Sequence, residues 1–224
     1  VFVKGLASGE KVVCLVSGGI DSPVAAWLMI RKGFIPVFIY FDNHPYTDEA
    51  ARKRALDAVL KLCDYLPNHR ACLYLVPHGE NLGAVVGKCP RNLTCLLCKR
   101  LMYRMAELIA VDEDCEGIVT GEIMGEHASQ TSRNLHVLCS ALKTRLPVLR
   151  PLLGMDKTEV EDMARKIGTF TISISPAKGC SAFPRSPRTH ASFKEITEAE
   201  KSLEIDLLIE RSLAQREVKE VQQG

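Results

Sequence analysis

Apolar residues fill positions 12–16 without a polar break, and do so again at 35–41 (IPVFIYF) and 71–76 (ACLYLV). Runs of that length without alternation predict strands covered on both faces. Shorter runs predict a fourth strand at 118–120, a fifth at 146–149 and a short sixth at 170–174. Between the strands the pattern turns helical. Pro23 sits where the first turn of a helix tolerates a missing N–H, and that helix runs through AAWLMIRK to Gly33 as its C-cap. Thr47 is the expected N-cap of DEAARKRALDAVLKLC, with Asp48 and Glu49 in its first turn. A short helix is expected near 82–86 and a long one over 96–110, with Leu97, Leu101, Met105, Leu108 and Ile109 on its apolar side. Asp156 and Glu159 have capping-box spacing before KTEVEDMARKIG. After Ser192 the chain turns charged and helical. Leu203, Leu207, Leu208 and Leu213 offer a face for its own domain or for a second copy in a homodimer.

Strands alternating with helices predict an α/β fold, a doubly wound parallel sheet in three α/β/α layers. The expected division is a catalytic domain over 1–192 and a charged helical C-terminal extension over 193–224. Such sheets bind ligands beyond the carboxyl ends of their strands. Attention therefore falls on residues 17–22, 42–46, 77–79, 121–125 and 150–157.

Composition narrows the class. The chain has 224 residues, 46% hydrophobic and 25% charged, which suits one globular domain with a small appendage. No apolar run approaches the length of a membrane span, and VFVKGLASGEK lacks the apolar core of a signal peptide. Nine cysteines, an odd number, predict a reducing, cytoplasmic setting, with Cys14 and Cys139 as small core residues. Net charge is only +2, but its distribution is uneven. Residues 88–104 lack acids and carry Lys88, Arg91, Lys99, Arg100 and Arg104. Residues 127–155 carry Arg133, Lys143, Arg145 and Arg150, and residues 178–194 carry Lys178, Arg185, Arg188 and Lys194, again without acids. Three basic segments predict one face for a polyanion.

The stretch SGGIDS at 17–22 carries the first chemistry. Gly18 and Gly19 allow a tight turn and close backbone approach, Ser17 and Ser22 add hydroxyls, and the helix start behind them favours an anion. Phosphate is the expected ligand. The Walker and Rossmann glycine patterns are both absent.

SGGIDS resembles the pyrophosphate-binding PP-loop of the ATP pyrophosphatases, which split ATP between the α- and β-phosphates and adenylate a substrate. Five further stretches follow in order: DNHPYTDEA, CKRLMYR at 98–104, TGEIMGEHASQT at 120–131, LRPLLGMDK at 149–157 and CSAFPRSP at 180–187. Together they resemble the tRNA 4-thiouridine sulfurtransferases of the ThiI type, from about Leu15 to Pro187. The resemblance implies an adenine nucleotide alpha-hydrolase-like fold, with ATP and Mg²⁺ as cofactors and tRNA as partner. Ser17, Gly18, Gly19, Asp21 and Ser22 would hold pyrophosphate, Asp21 through Mg²⁺ or loop amides. Leu15, Val16, Tyr40 and Phe41 would frame adenine and ribose. Arg100, Gly121 and Gln130 would contact the nucleotide. Lys157 would neutralise the α-phosphoryl group. As a cation in the first turn of a helix, Lys157 also calls for an anionic partner.

Cys180 matches the family's sulfur-transferring cysteine, in a basic Gly/Pro/Ser-rich loop that favours thiolate. Cys95 and Cys98 form a C-x-x-C at a helix start, where thiolate is again favoured. The resemblance places the chain in the archaeal-type branch, without THUMP, ferredoxin-like or rhodanese regions. There Cys95, Cys98 and Cys180 would hold an iron–sulfur cluster with one open iron for sulfide. A persulfide or disulfide relay among the same thiols is the alternative. The sulfur donor would be sulfide or a persulfide protein, and tRNA binding would draw on a separate RNA-binding domain or protein. Two other readings stay open: a related enzyme that adenylates a small molecule or carrier protein, and a nucleotide-binding module without turnover.

Overall fold

The computed structural model of the protein describes residues 9–144 and 146–222. Residues 1–8, Arg145 of the second basic segment and the last two residues lie outside the described residues. Among the described residues, six strands form one sheet in the order β5-β4-β1-β2-β3-β6. The strands are β1 (Lys11–Val16), β2 (Ile35–Asp42), β3 (Arg70–Pro77), β4 (Ile118–Val119), β5 (Val148–Leu149) and β6 (Glu217–Gln222). All neighbours pair in parallel except β6, which runs antiparallel to β3.

The helices are α1 (Asp21–Arg31), α2 (Glu49–Leu62), α3 (Gly79–Lys88), α4 (Thr94–Asp112), α5 (Ser132–Cys139), α6 (Lys157–Ile167), α7 (Phe170–Ser173), α8 (Phe193–Glu200) and α9 (Ile205–Ala214). They cover both faces of the sheet. Val13, Val37 and Ile39 enter the core shared with α4, α8 and α9, while Val12, Cys14 and Phe38 enter the core shared with α1, α2 and α6. Side chains alternate faces with period two. The unbroken apolar runs therefore follow from burial on both sides.

Three expectations are corrected here. The run at 170–174 is not a strand. Gly168 ends α6 with φ +79°, and the chain winds directly into α7. Arg54 binds the carbonyls of Ser173 and Ser175, which holds that turn in place. The N-cap of α2 is Asp48, whose Oδ1 accepts from the Ala51 N–H at 3.0 Å, not Thr47. The C-terminal stretch is not purely helical, because β6 closes one edge of the sheet. Nor does it stand apart: Ile196, Leu203, Leu208 and Ile209 belong to the same core as the strands. The capping box of α6 (Asp156 with Glu159) matches expectation, and the C-cap of α1 is Lys32, one residue before the expected Gly33, which follows it with φ +92°. Among the described residues, no helix is long and apolar enough to cross a membrane.

Candidate active site

The chain steps from β1 to β2 to β3, then returns to place β4 on the other side of β1. Reversal of direction leaves a crevice at the carboxyl ends of β1 and β4. A cleft of about 370 Å³ opens there. Its walls include Leu15, Val16, Ser17, Gly18, Gly19, Asp21, Ser22, Tyr40, Phe41, Gly121 and Gln130, the residues expected from the sequence. Burial pushes the Tyr40 phenol up to about 12, so it is neutral at any working pH.

The loop after β1 is fixed by its own serines. Ser22 Oγ accepts from the Ser17 N–H at 2.8 Å and lies 3.1 Å from Ser17 Oγ, which in turn accepts from the Gly19 N–H at 3.3 Å. Gly121 makes this packing possible. A Cβ there would lie 2.7 Å from both the N and the Cα of Ser22. The cleft also carries unpartnered buried acceptors, Gln130 Oε1 and Asn43 Oδ1. Buried polar atoms are rarely left unpaired, so a polar ligand fits this space.

Lys157 opens α6, and its Nζ meets Asp21 Oδ1 at 2.5 Å. The anion called for by its place in the first turn is therefore Asp21. The pair keeps some access to solvent, with side-chain exposures of 34% and 17%. Asp21, a cleft residue, thus reaches Lys157, which does not itself line the cleft.

Arg100 is a correction. Its residue is 1% exposed and it does not line the cleft. Its guanidinium binds Glu200 at 2.8 and 3.0 Å, Ser140 Oγ at 2.9 Å and the Val137 carbonyl. Arg104, one turn on, grips the same Glu200. This face of α4 turns toward α5 and α8. Lys99, one residue earlier and so about 100° round the helix, lines the cleft instead.

Lys99 belongs to a network that sequence reasoning missed. Glu122, 4% exposed, accepts from Lys99 at 3.1 Å, Arg150 at 2.7 Å, the Tyr103 hydroxyl at 3.0 Å and Thr120 at 3.2 Å. Burial alone would raise the Glu122 carboxyl, but Lys99 and Arg150 outweigh it and hold the carboxyl below its ordinary value. Arg150 also reaches Cys139 Sγ at 3.2 Å, so Cys139 is a half-buried partner of this network, not an apolar core residue. Glu122 and Lys99 lay within quoted motifs, but only the fold shows that they meet.

The cysteines adjoin the cleft through Met102, which lines the cleft and packs on a cluster of Leu82, Cys98 and Ala182, against which Cys180 packs as well. The Cys180 loop is tied down by Ser181, whose N–H donates to the Tyr46 carbonyl at 2.9 Å, and by the Lys178 N–H to Asp48 Oδ2 at 2.9 Å. Cys95, Cys98 and Cys180 are close enough for charge on one to be felt by the others. Helix-start position does not make the C-x-x-C thiols acidic: burial, reinforced by Cys180, pushes both Cys95 and Cys98 up. Among the described residues, no three Cys, His, Asp or Glu side chains are placed as ligands around one ion. The three thiols are neighbours without forming a ligand set. Cys98 is engaged elsewhere, with its Sγ 3.3 Å from His78 Nε2.

Comparison with known proteins then decides the family. The model for the family described as "Thiamine biosynthesis protein (ThiI)" matches residues 7–205. The chain belongs to the ThiI family. This ThiI-family chain is 43% identical over 209 residues to "Probable tRNA sulfurtransferase" of Methanosarcina acetivorans, covering 92% of the chain and 50% of that relative. The protein of the same name from Methanothermobacter thermautotrophicus is 39% identical, over 90% of the chain and 52% of the relative. The chain thus spans about half the length of the curated relatives it matches. The crystal structure of a 4-thiouridine synthetase–RNA complex with bound ATP superposes with a TM-score of 0.90 at 33% identity, over 95% of this chain and 55% of that one. NMN synthetase from Francisella tularensis, at 14% identity and a TM-score of 0.58, shares the fold alone.

Proposed function

We propose that the chain is the ATP-using catalytic part of a tRNA sulfurtransferase. It adenylates the C4 oxygen of a uridine, releasing pyrophosphate. A sulfur nucleophile then forms the C4–S bond, the C4–O bond breaks, and AMP leaves with the oxygen. The observation that carries this reading is the closeness of two sites: Met102, a wall of the phosphate-loop cleft, also packs on the cluster that holds Cys98, against which Cys180 packs as well. Adenylation and sulfur delivery need that proximity. The ATP and RNA in the related 4-thiouridine synthetase structure support it.

Residue roles follow from the geometry. Loop N–H groups with Ser17 and Ser22 hold the departing pyrophosphate at the start of α1. Asp21 would hold Mg²⁺ through a carboxylate oxygen, and the ion would supply positive charge to the phosphates. Lys157 neutralises charge on the α-phosphoryl group. Leu15, Val16, Tyr40 and Phe41 frame the nucleoside, and Gln130 and Asn43 offer it their unpartnered oxygens. Of the basic segments at 88–104 and 178–194, Lys88, Arg91, Lys178, Arg185 and Lys194 are the exposed cations outside ion pairs among the described residues, and they suit an RNA backbone, with further grip from a separate domain or protein. Cys95, Cys98 and Cys180 carry the sulfur. An iron–sulfur cluster on them would supply an open iron for sulfide, and a persulfide relay would use the same thiols. All nine cysteines are free, consistent with a reducing cytoplasm and with a role in thiamine synthesis that also needs sulfur.

The test is anaerobic incubation of the chain with ATP, Mg²⁺, sulfide and unmodified tRNA, followed by nucleoside analysis. 4-Thiouridine, seen by its near-ultraviolet absorbance, is the expected product. Pyrophosphate and AMP without 4-thiouridine would show another acceptor. Iron and sulfide analysis of anaerobically purified protein separates cluster from relay.

A further inference from the structure

A chain of buried polar groups ends on Cys98. His78, at the end of β3, is fully buried. Its Nε2 lies 3.3 Å from Cys98 Sγ, and its Nδ1 lies 3.0 Å from Asn81 Nδ2. Asn81, on α3, also donates to Ser212 Oγ of α9 at 2.9 Å. An amide nitrogen can only donate, so Nδ1 accepts and the ring proton sits on Nε2. The reverse amide orientation would place two N–H donors where the unpartnered Asn81 Oδ1 now lies. Two stranded donors cost more than one stranded acceptor, so the orientation holds. His78 therefore presents an N–H to Cys98, and the sulfur is the acceptor.

Packing alone does not call for this arrangement. The surroundings are apolar, with Phe41 edge-on to the imidazole at 5.6 Å and Leu82, Val86 and Met102 around Cys98. A hydrophobic side chain would fill the space without taking an imidazole, an amide and a hydroxyl out of water. Instead, polar groups on β3, α3 and α9 converge to deliver one N–H to one sulfur.

We propose that His78 is the positioning residue of the sulfur-handling cysteines, its tautomer set by Asn81 and Ser212. It fixes Cys98 by donating to its sulfur, which stabilises negative charge there and makes Cys98 the anchored member of the set. Cys95 and Cys180, which are only half-buried, remain free to move with the sulfur they exchange. The inference rests on reading these three thiols as the sulfur site, and its test separates the two claims.

The test compares His78→Leu with His78→Gln, because Gln keeps an N–H donor at similar reach and Leu does not. Three quantities are measured: the burst of pyrophosphate release with ATP and tRNA, sulfide-dependent 4-thiouridine formation, and alkylation of Cys98 relative to Cys95 by iodoacetamide. Residues that hold a reactive group from behind typically matter ten- to a hundred-fold, so His78→Leu should lower thiolation and the Cys98 alkylation ratio by about that factor. The pyrophosphate burst should survive, and His78→Gln should restore both lost quantities. Equal behaviour of the Leu and Gln variants, or loss of the burst together with thiolation, would overturn the proposal. If the unaltered chain forms no 4-thiouridine, the proposed function fails, and the alkylation ratio still decides the role of His78.

Discussion

Gly121 leaves no room for a methyl group between the end of β4 and the start of α1. In Gly121→Ala the new Cβ would meet the Ser22 backbone at 2.7 Å, and backbone cannot yield as a side chain can. Overpacking of this kind costs about 1–3 kcal/mol, and the displaced loop should lower pyrophosphate release at least ~10-fold. A near-normal rate in a steady-state assay would show that the loop tolerates the shift. Lys157→Ala should lower pyrophosphate release by about 10²–10³-fold, the usual effect of losing a charge-stabilising donor. Retention of tRNA in filter binding would show that the loss is chemical. Sequence motifs located most of the cleft residues because a loop and its neighbours are contiguous in the chain. They misplaced Arg100, because which way a helical residue faces depends on what packs around the helix. Glu200 lies 100 residues further on and decides it.

Among the elements, α8 shows how local and distant interactions divide the work. Ser192 caps it by accepting from the Glu195 N–H at 3.1 Å, and Glu195 returns a bond to the Ser192 N–H at 2.8 Å. Ser192→Ala should cost about 1 kcal/mol in urea unfolding, the typical value of a cap. Glu200 at its other end neutralises both Arg100 and Arg104. Glu200→Ala would strand two guanidiniums in a largely buried site, so a loss of about 3–5 kcal/mol is expected in the same experiment. A loss below ~1 kcal/mol would show that water reaches the arginines. The long strands were legible from apolar runs alone. By contrast, β6 was not, since EVKEVQ is half charged and becomes a strand only because the edge of β3 offers it partners. Charged side chains along that outer strand also discourage pairing with another sheet. The run at 170–174 had strand-like composition, yet only Gly168 and Thr169 separate it from α6, and Arg54 captures the carbonyls of Ser173 and Ser175 at the end of a helical turn.

For the whole molecule, the buried carboxylates set the response to acid. Burial opposes the charge on Glu122 and Glu200, yet Lys99 and Arg150 hold one below its ordinary value, and Arg100 and Arg104 the other. Folded carboxyls that bind protons less tightly than unfolded ones favour folding while ionised. Their contribution is therefore complete above the ordinary value of 4.5 and is lost as pH falls below it through the depressed folded values. The thermal midpoint should drop as pH falls below about 4.5, and Glu122→Gln should flatten part of that drop. A midpoint independent of pH from 5 down to 3 would remove these pairs from the account of stability. By itself the sequence determined the α/β class, the first five strands, the glycine–serine loop after β1 and the ThiI-type motifs, because these depend on short-range periodicity and contiguous residues. Tertiary structure alone decided which side of α4 faces the cleft, that Glu122 gathers Lys99, Arg150 and Tyr103, that residues 217–222 complete the sheet, and that His78 stands behind Cys98. Each of these is a contact between residues far apart in the chain, made when helices pack and a sheet closes its edge. No local pattern encodes such a contact, because its free energy comes from groups that meet only after folding.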